Sequence, residues 1–339
     1  MQQRSPTAEE QLEFLTKVER LLAKGRRTTT YKFALLIALT NLAVEIGSDS
    51  NDVLVVSVDD IARQFLSLYW KMARPYPRLA EVLKQSTNAS KPAKMITLLI
   101  DEARHSESSY QRLRVYQAQR DELLAEAKLL LKRDVLYRLQ VVENCPQPDA
   151  EVDRFLYDSP RSLKESRAIN HLTLKPGVAA CLRRLRGVII SIAEARWAQW
   201  VREHNTNLGA DYKLENFLFV PVRGRVTEYA ERFYELQSGR CFYSGDKLAK
   251  PSAGEVDHFI PWSRYPFDSP FNLVLASRRE NSKWRDQLKP AEYRDLWLQR
   301  NIDASSDLIA PRPAGFGALK EDAETVKSIS RWLYASRTA

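Results

Sequence analysis

Along its first two-thirds the chain repeats apolar residues at helical spacing. Leu12, Leu15, Val18 and Leu22 predict a first helix, which Gly25 can end. Residues 28–30, all threonine, offer N-caps for a second helix running through Val44 and closing near Gly47. Residues 53–56 form a short, mostly β-branched run suited to a strand. Ser57 and Asp60 then make the pattern of a capping box, ahead of a helix with Val58, Ile61, Phe65, Leu68, Tyr69 and Met72 on one face. Pro75 and Pro77 stop it. Amphipathic helices are predicted over residues 93–104, 109–115 and 121–142, and Pro146 and Pro148 mark a break. Behind Pro176 another long helix turns Leu182, Leu185, Ile189 and Ile192 inward and reaches about Arg202. Residues 204–216, rich in Asn, read as a hinge into a module of a different kind. There a β-like run ends at Asp257 and His258, Leu273 to Leu275 can return as a second strand, and the pattern turns helical from about Ser277. Residues 291–301 and 322–334 suggest closing helices, separated by 311–317. The expected fold is therefore mainly α, with a small ββα unit. The expected divisions are a helical recognition or regulatory region at 1–210, a catalytic domain at 211–300 and a C-terminal helical extension at 301–339.

Composition adds a partner class. The chain has 339 residues, 44% hydrophobic and 28% charged, the make-up of a core-forming protein rather than a disordered tail or fibrous repeat. Its formal net charge of +9 favours polyanionic partners through counterion release and steering. Nucleic acid is the chief candidate, although anionic membranes also draw basic proteins. Cys145, Cys181 and Cys241 are too few and too scattered for a disulfide framework, which points to a reducing, cytoplasmic setting. Residues 1–10 are polar and acidic, unlike a signal peptide. The most apolar run, 33–46, contains Asn41 and Glu45 and is too short to span a bilayer, so no membrane association is expected. The oligomeric state is left open.

The residues that carry chemistry lie between Cys241 and Asp286. They read Cys241-Phe-Tyr-Ser-Gly, then Glu255-Val-Asp-His-Phe-Ile-Pro-Trp-Ser, then Phe271-Asn-Leu-Val-Leu-Ala, then Glu280-Asn-Ser-Lys-Trp-Arg-Asp286. Asn272 follows His258 by 14 residues, and Asn281 follows Asn272 by 9. Phosphodiester hydrolysis needs a divalent cation to neutralise the phosphate and a base to deprotonate water. Asp257 and the Asn281 amide oxygen are hard donors suited to Mg²⁺ or Mn²⁺. His258 can take the proton. Asn272 can hold the intervening loop by side-chain bonds to its backbone. Adjacent strand residues face opposite ways, so the strand end must bend to aim Asp257 and His258 at one phosphate.

An Asp-His pair, a spaced Asn and a second Asn on a helix resemble the ββα-metal, or HNH, nuclease motif. The two spacings are similar to those of the HNH domain in CRISPR RNA-guided nucleases. The resemblance covers about residues 237–288. It implies Asp257 as the first metal ligand, His258 as general base, Asn272 as the structural middle Asn and Asn281 as the last ligand, where many members carry His. Lys283 matches a basic position near the phosphate, with Arg279 and Arg285 as further phosphate contacts. Many members frame the motif with two Cys pairs binding structural zinc. The corresponding positions here are Cys241, Ser244, Ser277 and Glu280, which do not make a zinc set, so no structural zinc is expected. Phe242, Tyr243, Phe259, Ile260, Trp262 and Leu288 are the expected packing substitute. The flanking helices resemble stand-alone bacterial HNH proteins linked to restriction and phage defence.

Plainer readings stand beside several of these. Arg278, Arg279, Lys283 and Arg285 could be a solvated helix face, and Trp284 could stack on a base or belong to the core. Arg26, Arg27, Lys32, Arg183, Arg184 and Arg186 could form a DNA track or exposed amphipathic faces. The helix behind Ser57 could belong to a helix-turn-helix or a plain bundle. His105, His171 and His204 have no partners at ligand spacing. The expected function is a metal-dependent endonuclease acting on DNA, with a partner protein or activating signal engaging the helical region. The alternatives are a catalytically silent nucleic-acid-binding or adaptor protein, or a partner-restrained nuclease acting on RNA.

Overall fold

A computed structural model describes residues 4–24, 28–77, 79–87, 93–105, 117–140, 154–158, 160, 162–208, 214–219, 229–262, 264–265, 269–284, 287–304 and 320–335. The chain is mainly α and divides into two units, Met1–Val220 and Pro221–Ala339. No helix among the described residues is long and apolar enough to cross a membrane. Gly25, Arg26, Arg27, Cys145, Arg285 and residues 109–115 and 311–317 lie outside the described residues.

The first unit is built around α2 (Tyr31–Ile46), whose residues are buried almost all round. A helix apolar on every side must be enclosed. Helix α1 (Ala8–Lys24) precedes it, and α3 (Val58–Met72), α4 (Lys94–His105), α5 (Gln117–Leu130) and a π-helical turn, Leu131–Val135, come after; of these, α3 and the π-helical turn pack against it, and α4 and α5 pack on α3. Then follow α6 (Leu163–Ala168), α7 (Val178–Arg184), α8 (Arg186–His204) and α9 (Leu214–Phe219). Strand β1 (Leu54–Ser57) pairs antiparallel with His171–Leu174, while Pro75–Tyr76 (β2) and Glu81–Val82 (β3) make a second small ladder; His171–Leu174 is β4. The capping box at Ser57 is present: the Asp60 amide donates to Ser57 Oγ at 3.0 Å. A second one opens α1, where the Glu10 carboxylate accepts from the Thr7 amide at 2.7 Å. With neighbours on several sides, α3 is a bundle helix.

Several details differ from the hydrophobic pattern. Leu12 is 67% exposed, and Phe14 and Leu21 fill the core in its place. Thr30 precedes α2 but makes no side-chain cap. Its hydroxyl is instead fully buried, bonded to Tyr69 Oη at 2.7 Å and to Gln85 Oε1 at 3.0 Å. The long helix after Pro176 is two helices, divided at Leu185, which has φ −95° and ψ 10°. Hydrogen bonds from Leu185 to Cys181 and from Ile189 to Leu185 carry the ladder across that break, so the apolar period continues through it. The stretch after His204 is also not only a hinge, because α9 packs back on α3 and α8. Arg183 is neither a DNA track nor an exposed face. It is buried and donates to the Ala43 and Val44 carbonyls at the end of α2, and to Asp49. Arg186 is half-buried and reaches Asn41, leaving Arg184 as the exposed member of the three.

The second unit holds α10 (Ala230–Leu236), strands β5 (Gly254–His258) and β6 (Leu273–Ser277), α11 (Arg278–Trp284), α12 (Ala291–Leu298), a π-helical turn Gln299–Ala304 and α13 (Lys320–Ala335). The strands form an antiparallel hairpin in which Val256 faces Leu275 and His258 faces Leu273. A Cβ on Gly254 would lie 2.8 Å from the Leu275 side chain, so only glycine fits that close approach. Helix α11 packs across both strands and completes a ββα unit. The outer side of β6 is stitched by Gln237, which donates to the Leu275 carbonyl and accepts from its amide, at 2.7 and 2.9 Å. From the C-terminal side, Trp297 stacks on Phe259 at 4.3 Å, and Asn301 donates to the Phe271 and Leu273 carbonyls. Arg300 lies over the Phe242 ring at 4.5 Å. Elements after residue 290 thus finish the core beneath the hairpin.

Candidate active site

Strand β5 ends in the Asp257–His258 pair. Alternation along the strand puts Glu255 and Asp257 on one face, and His258 is the strand's last residue. Asp257 is largely buried, with 13% of its side chain exposed. Its Oδ2 accepts from the Tyr243 hydroxyl at 2.7 Å and lies 3.5 Å from the Lys289 ammonium. Among the described residues no hydrogen bond or ion pair ends on Oδ1. The phenol beside this carboxylate has its pKa pushed well above the ordinary tyrosine value, chiefly by burial and then by the Asp257 charge, so it stays a donor.

Helix α11 reaches the same face of β5. Asn281 Nδ2 donates to Glu255 Oε2 at 2.8 Å, and Arg278 Nε donates to Oε1 of the same carboxylate at 2.9 Å. The bond from Asn281, then that from Arg278, holds Glu255 below the usual carboxylate range. A carboxylate can only accept from the amide nitrogen here, so the amide's orientation is fixed and Asn281 Oδ1 is its acceptor oxygen. No partner ends on that oxygen among the described residues.

Asn272 is fully buried below the strand end. Its Oδ1 accepts from the Ile260 amide at 2.7 Å and its Nδ2 donates to the Ile260 carbonyl at 3.0 Å. One side chain thereby satisfies both backbone groups of the loop that leaves His258. The His258 ring is mostly buried and meets Trp262 edge-on, with ring centres 4.9 Å apart.

The four positions of the zinc frame also come together. Cys241 Sγ accepts from the Ser277 amide at 3.2 Å, and the Glu280 amide donates to Ser277 Oγ at 3.3 Å. Burial opposes ionisation of the Cys241 thiol, but hydrogen bonds from Ser244 and Ser277 outweigh it and hold its pKa below the ordinary value. The Glu280 carboxylate pairs with Arg279 at 3.4 Å and Lys283 at 3.7 Å. The turn from Cys241 is closed by Gly245, with φ +73°, whose amide donates to the Cys241 carbonyl.

With this geometry in view, residues 241–289 match the family model described as HNH endonuclease. This segment is an HNH domain. No curated protein and no solved structure gives a significant match to the chain. The matched HNH segment runs from the Cys241 turn to Lys289, leaving the helical unit outside it.

Of the expected phosphate contacts, Arg279 is 75% and Lys283 60% exposed on α11. Arg279 also pairs with Asp246 at 3.5 Å. Arg285 lies outside the described residues. Trp284 packs with Tyr243 and Tyr293, and Lys283 sits 4.9 Å from its ring. Three residues of the HNH site escaped the sequence reading as functional positions: Glu255, Tyr243 and Lys289. Only Glu255 carried a usable signal, two places before Asp257 on a strand. Among the described residues no group of three or more His, Cys, Asp and Glu is arranged to hold a metal.

Proposed function

We propose that the chain is a divalent-metal-dependent endonuclease that hydrolyses phosphodiester bonds in DNA. The observation carrying this reading is a matched pair of oxygens. Asp257 and Asn281 each have one polar atom tied by the protein and one oxygen without a partner among the described residues. Two hard oxygens on rigid elements, which leave the other coordination positions to waters and phosphate oxygens, fit Mg²⁺ or Mn²⁺. Asp257 and Asn281 would hold such an ion, which supplies positive charge at the scissile phosphate. His258 accepts the proton of the attacking water as the new O–P bond forms and the ester oxygen departs. Trp262 limits rotation of the imidazole, and Asn272 fixes the loop behind it. Glu255 aims the Asn281 amide. Arg279, Lys283 and Arg285 contact the phosphate backbone, which positions a duplex without reading its sequence.

The Cys241 cluster stands in for a structural zinc: one thiol, two hydroxyls and a carboxylate already paired with two cations are a poor zinc set. A cytoplasmic role in restriction or anti-phage defence extends the proposal, with the helical unit recognising substrate, an activating signal or a partner protein. Unchanged plaque formation on cells expressing the chain would count against that extension. The direct test offers supercoiled DNA, nicked duplex and RNA to the purified protein in Mg²⁺, Mn²⁺ or EDTA. Metal-dependent cutting of DNA is the expected result. Cutting of RNA alone would replace the substrate class, and binding without any cutting would favour a silent module.

A further inference from the structure

The HNH match ends at a lysine whose side chain is entirely buried. Lysine is almost never fully buried unless paired, because desolvating its charge is costly. Lys289 Nζ donates to the His258 carbonyl at 3.1 Å and lies 3.5 Å from Asp257 Oδ2. It stands 5.7 Å from the centres of both the Tyr243 and Phe259 rings. The Lys289 backbone is held in turn from α13, where the Tyr334 hydroxyl donates to its carbonyl at 2.8 Å. One ammonium therefore grips both members of the Asp-His pair, one through its side chain and the other through its backbone.

We infer that Lys289 is a positioning residue of the nuclease site: together with the Tyr243 hydroxyl it ties Asp257 through Oδ2, so that Oδ1 is the oxygen offered to a divalent cation, while its second bond anchors His258. This inference rests on the reading of Asp257 as a metal ligand. It has a consequence that a merely structural lysine would not have. An ammonium beside a ligand carboxylate repels a second cation, so Lys289 opposes metal binding while fixing the geometry in which the metal is useful. Affinity for the ion and rate at saturating ion should separate when it is removed.

The test uses full-length protein carrying Lys289→Met, which keeps an unbranched side chain one atom shorter and removes its charge. Tyr243→Phe is the gentler companion, keeping the ring that packs on Trp284 and Tyr293. Mn²⁺ binding is read from the electron paramagnetic resonance of the free ion, and plasmid nicking is followed over a Mn²⁺ series, with rates expressed per folded molecule. Lys289→Met should bind Mn²⁺ at least as tightly as wild type, yet its rate at saturating Mn²⁺ should fall about tenfold or more. Tyr243→Phe should lower the saturating rate about threefold with little change in Mn²⁺ affinity. Variants that keep the wild-type saturating rate would overturn the inference while leaving the nuclease reading intact. A parallel loss of Mn²⁺ binding and rate would also overturn it, marking Lys289 as part of the fold alone. Wild type that binds no Mn²⁺ would remove the nuclease reading and this inference with it. Should Lys289→Met fail to fold, the saturating rate of Tyr243→Phe decides.

Discussion

Replacing Asn272 with alanine removes both hydrogen bonds that satisfy Ile260. Asn272 and Ile260 are both fully shielded, so water cannot take over either bond without opening the loop. Each buried backbone group left without a partner costs about 1–3 kcal/mol, so the pair costs about 2–6 kcal/mol. In a unit of roughly a hundred residues that lowers the melting midpoint by roughly 10–20 °C. Differential scanning calorimetry gives the midpoint. Hydrogen exchange followed by mass spectrometry shows whether protection falls specifically in peptides spanning residues 258–262. The backbone bond from Phe259 to the Asn272 carbonyl survives the substitution, so the hairpin itself should keep its register. A fall of less than roughly 3 °C, with Ile260 still protected, would refute the claim that this side chain holds the loop.

Other perturbations probe the surrounding structure. Trp297→Ala empties the space stacked on Phe259 and removes one of the two donors to the Phe271 carbonyl, which should cost about 3–5 kcal/mol; a near-neutral melt would contradict the role given to the C-terminal elements. The Asn281 and Arg278 bonds hold Glu255 below its ordinary pKa of 4.5, so the stability it adds is fully present above that pH and is lost as pH falls through the lowered value. The melting advantage of wild type over Glu255→Gln should therefore shrink on acidification below pH 4.5, and an advantage that grew instead would reverse the sign of the argument. Elemental analysis of purified protein should find no stoichiometric zinc. One tightly held equivalent would mean that the Cys241 cluster is a metal site after all.

Much of the fold was legible because its signals are local. Ser57 and Asp60 lie three residues apart and announce the start of α3. The apolar run of β6 and the spacing from His258 to Asn272 and Asn281 locate the ββα unit. What stayed hidden depends on residues far apart in the chain. Thr30 reads as a cap, yet its hydroxyl is drawn into a buried network with Tyr69 and Gln85, a tertiary bond that no local pattern encodes. Arg183 reads as part of a basic face because charge usually means exposure. Only the three-dimensional position of the α2 carbonyls explains its burial. Lys289 looks like a linker residue ahead of the closing helices, and Trp297, Asn301 and Tyr334 look like ordinary members of them. Their long-range bonds to His258, Phe271, Leu273 and Lys289 make them supports of the HNH unit. Periodicity reports which face of an element is buried, but not against what.

The most direct test of the proposed chemistry compares wild type with His258→Ala on supercoiled plasmid in Mg²⁺, Mn²⁺ and EDTA, with folding checked by circular dichroism. Wild type should nick or linearise the plasmid only with metal, and the variant should be folded but lose at least about 100-fold in rate, the scale of a removed general base. Cleavage that survives undiminished in folded His258→Ala would contradict the assignment of this imidazole as the base that activates water.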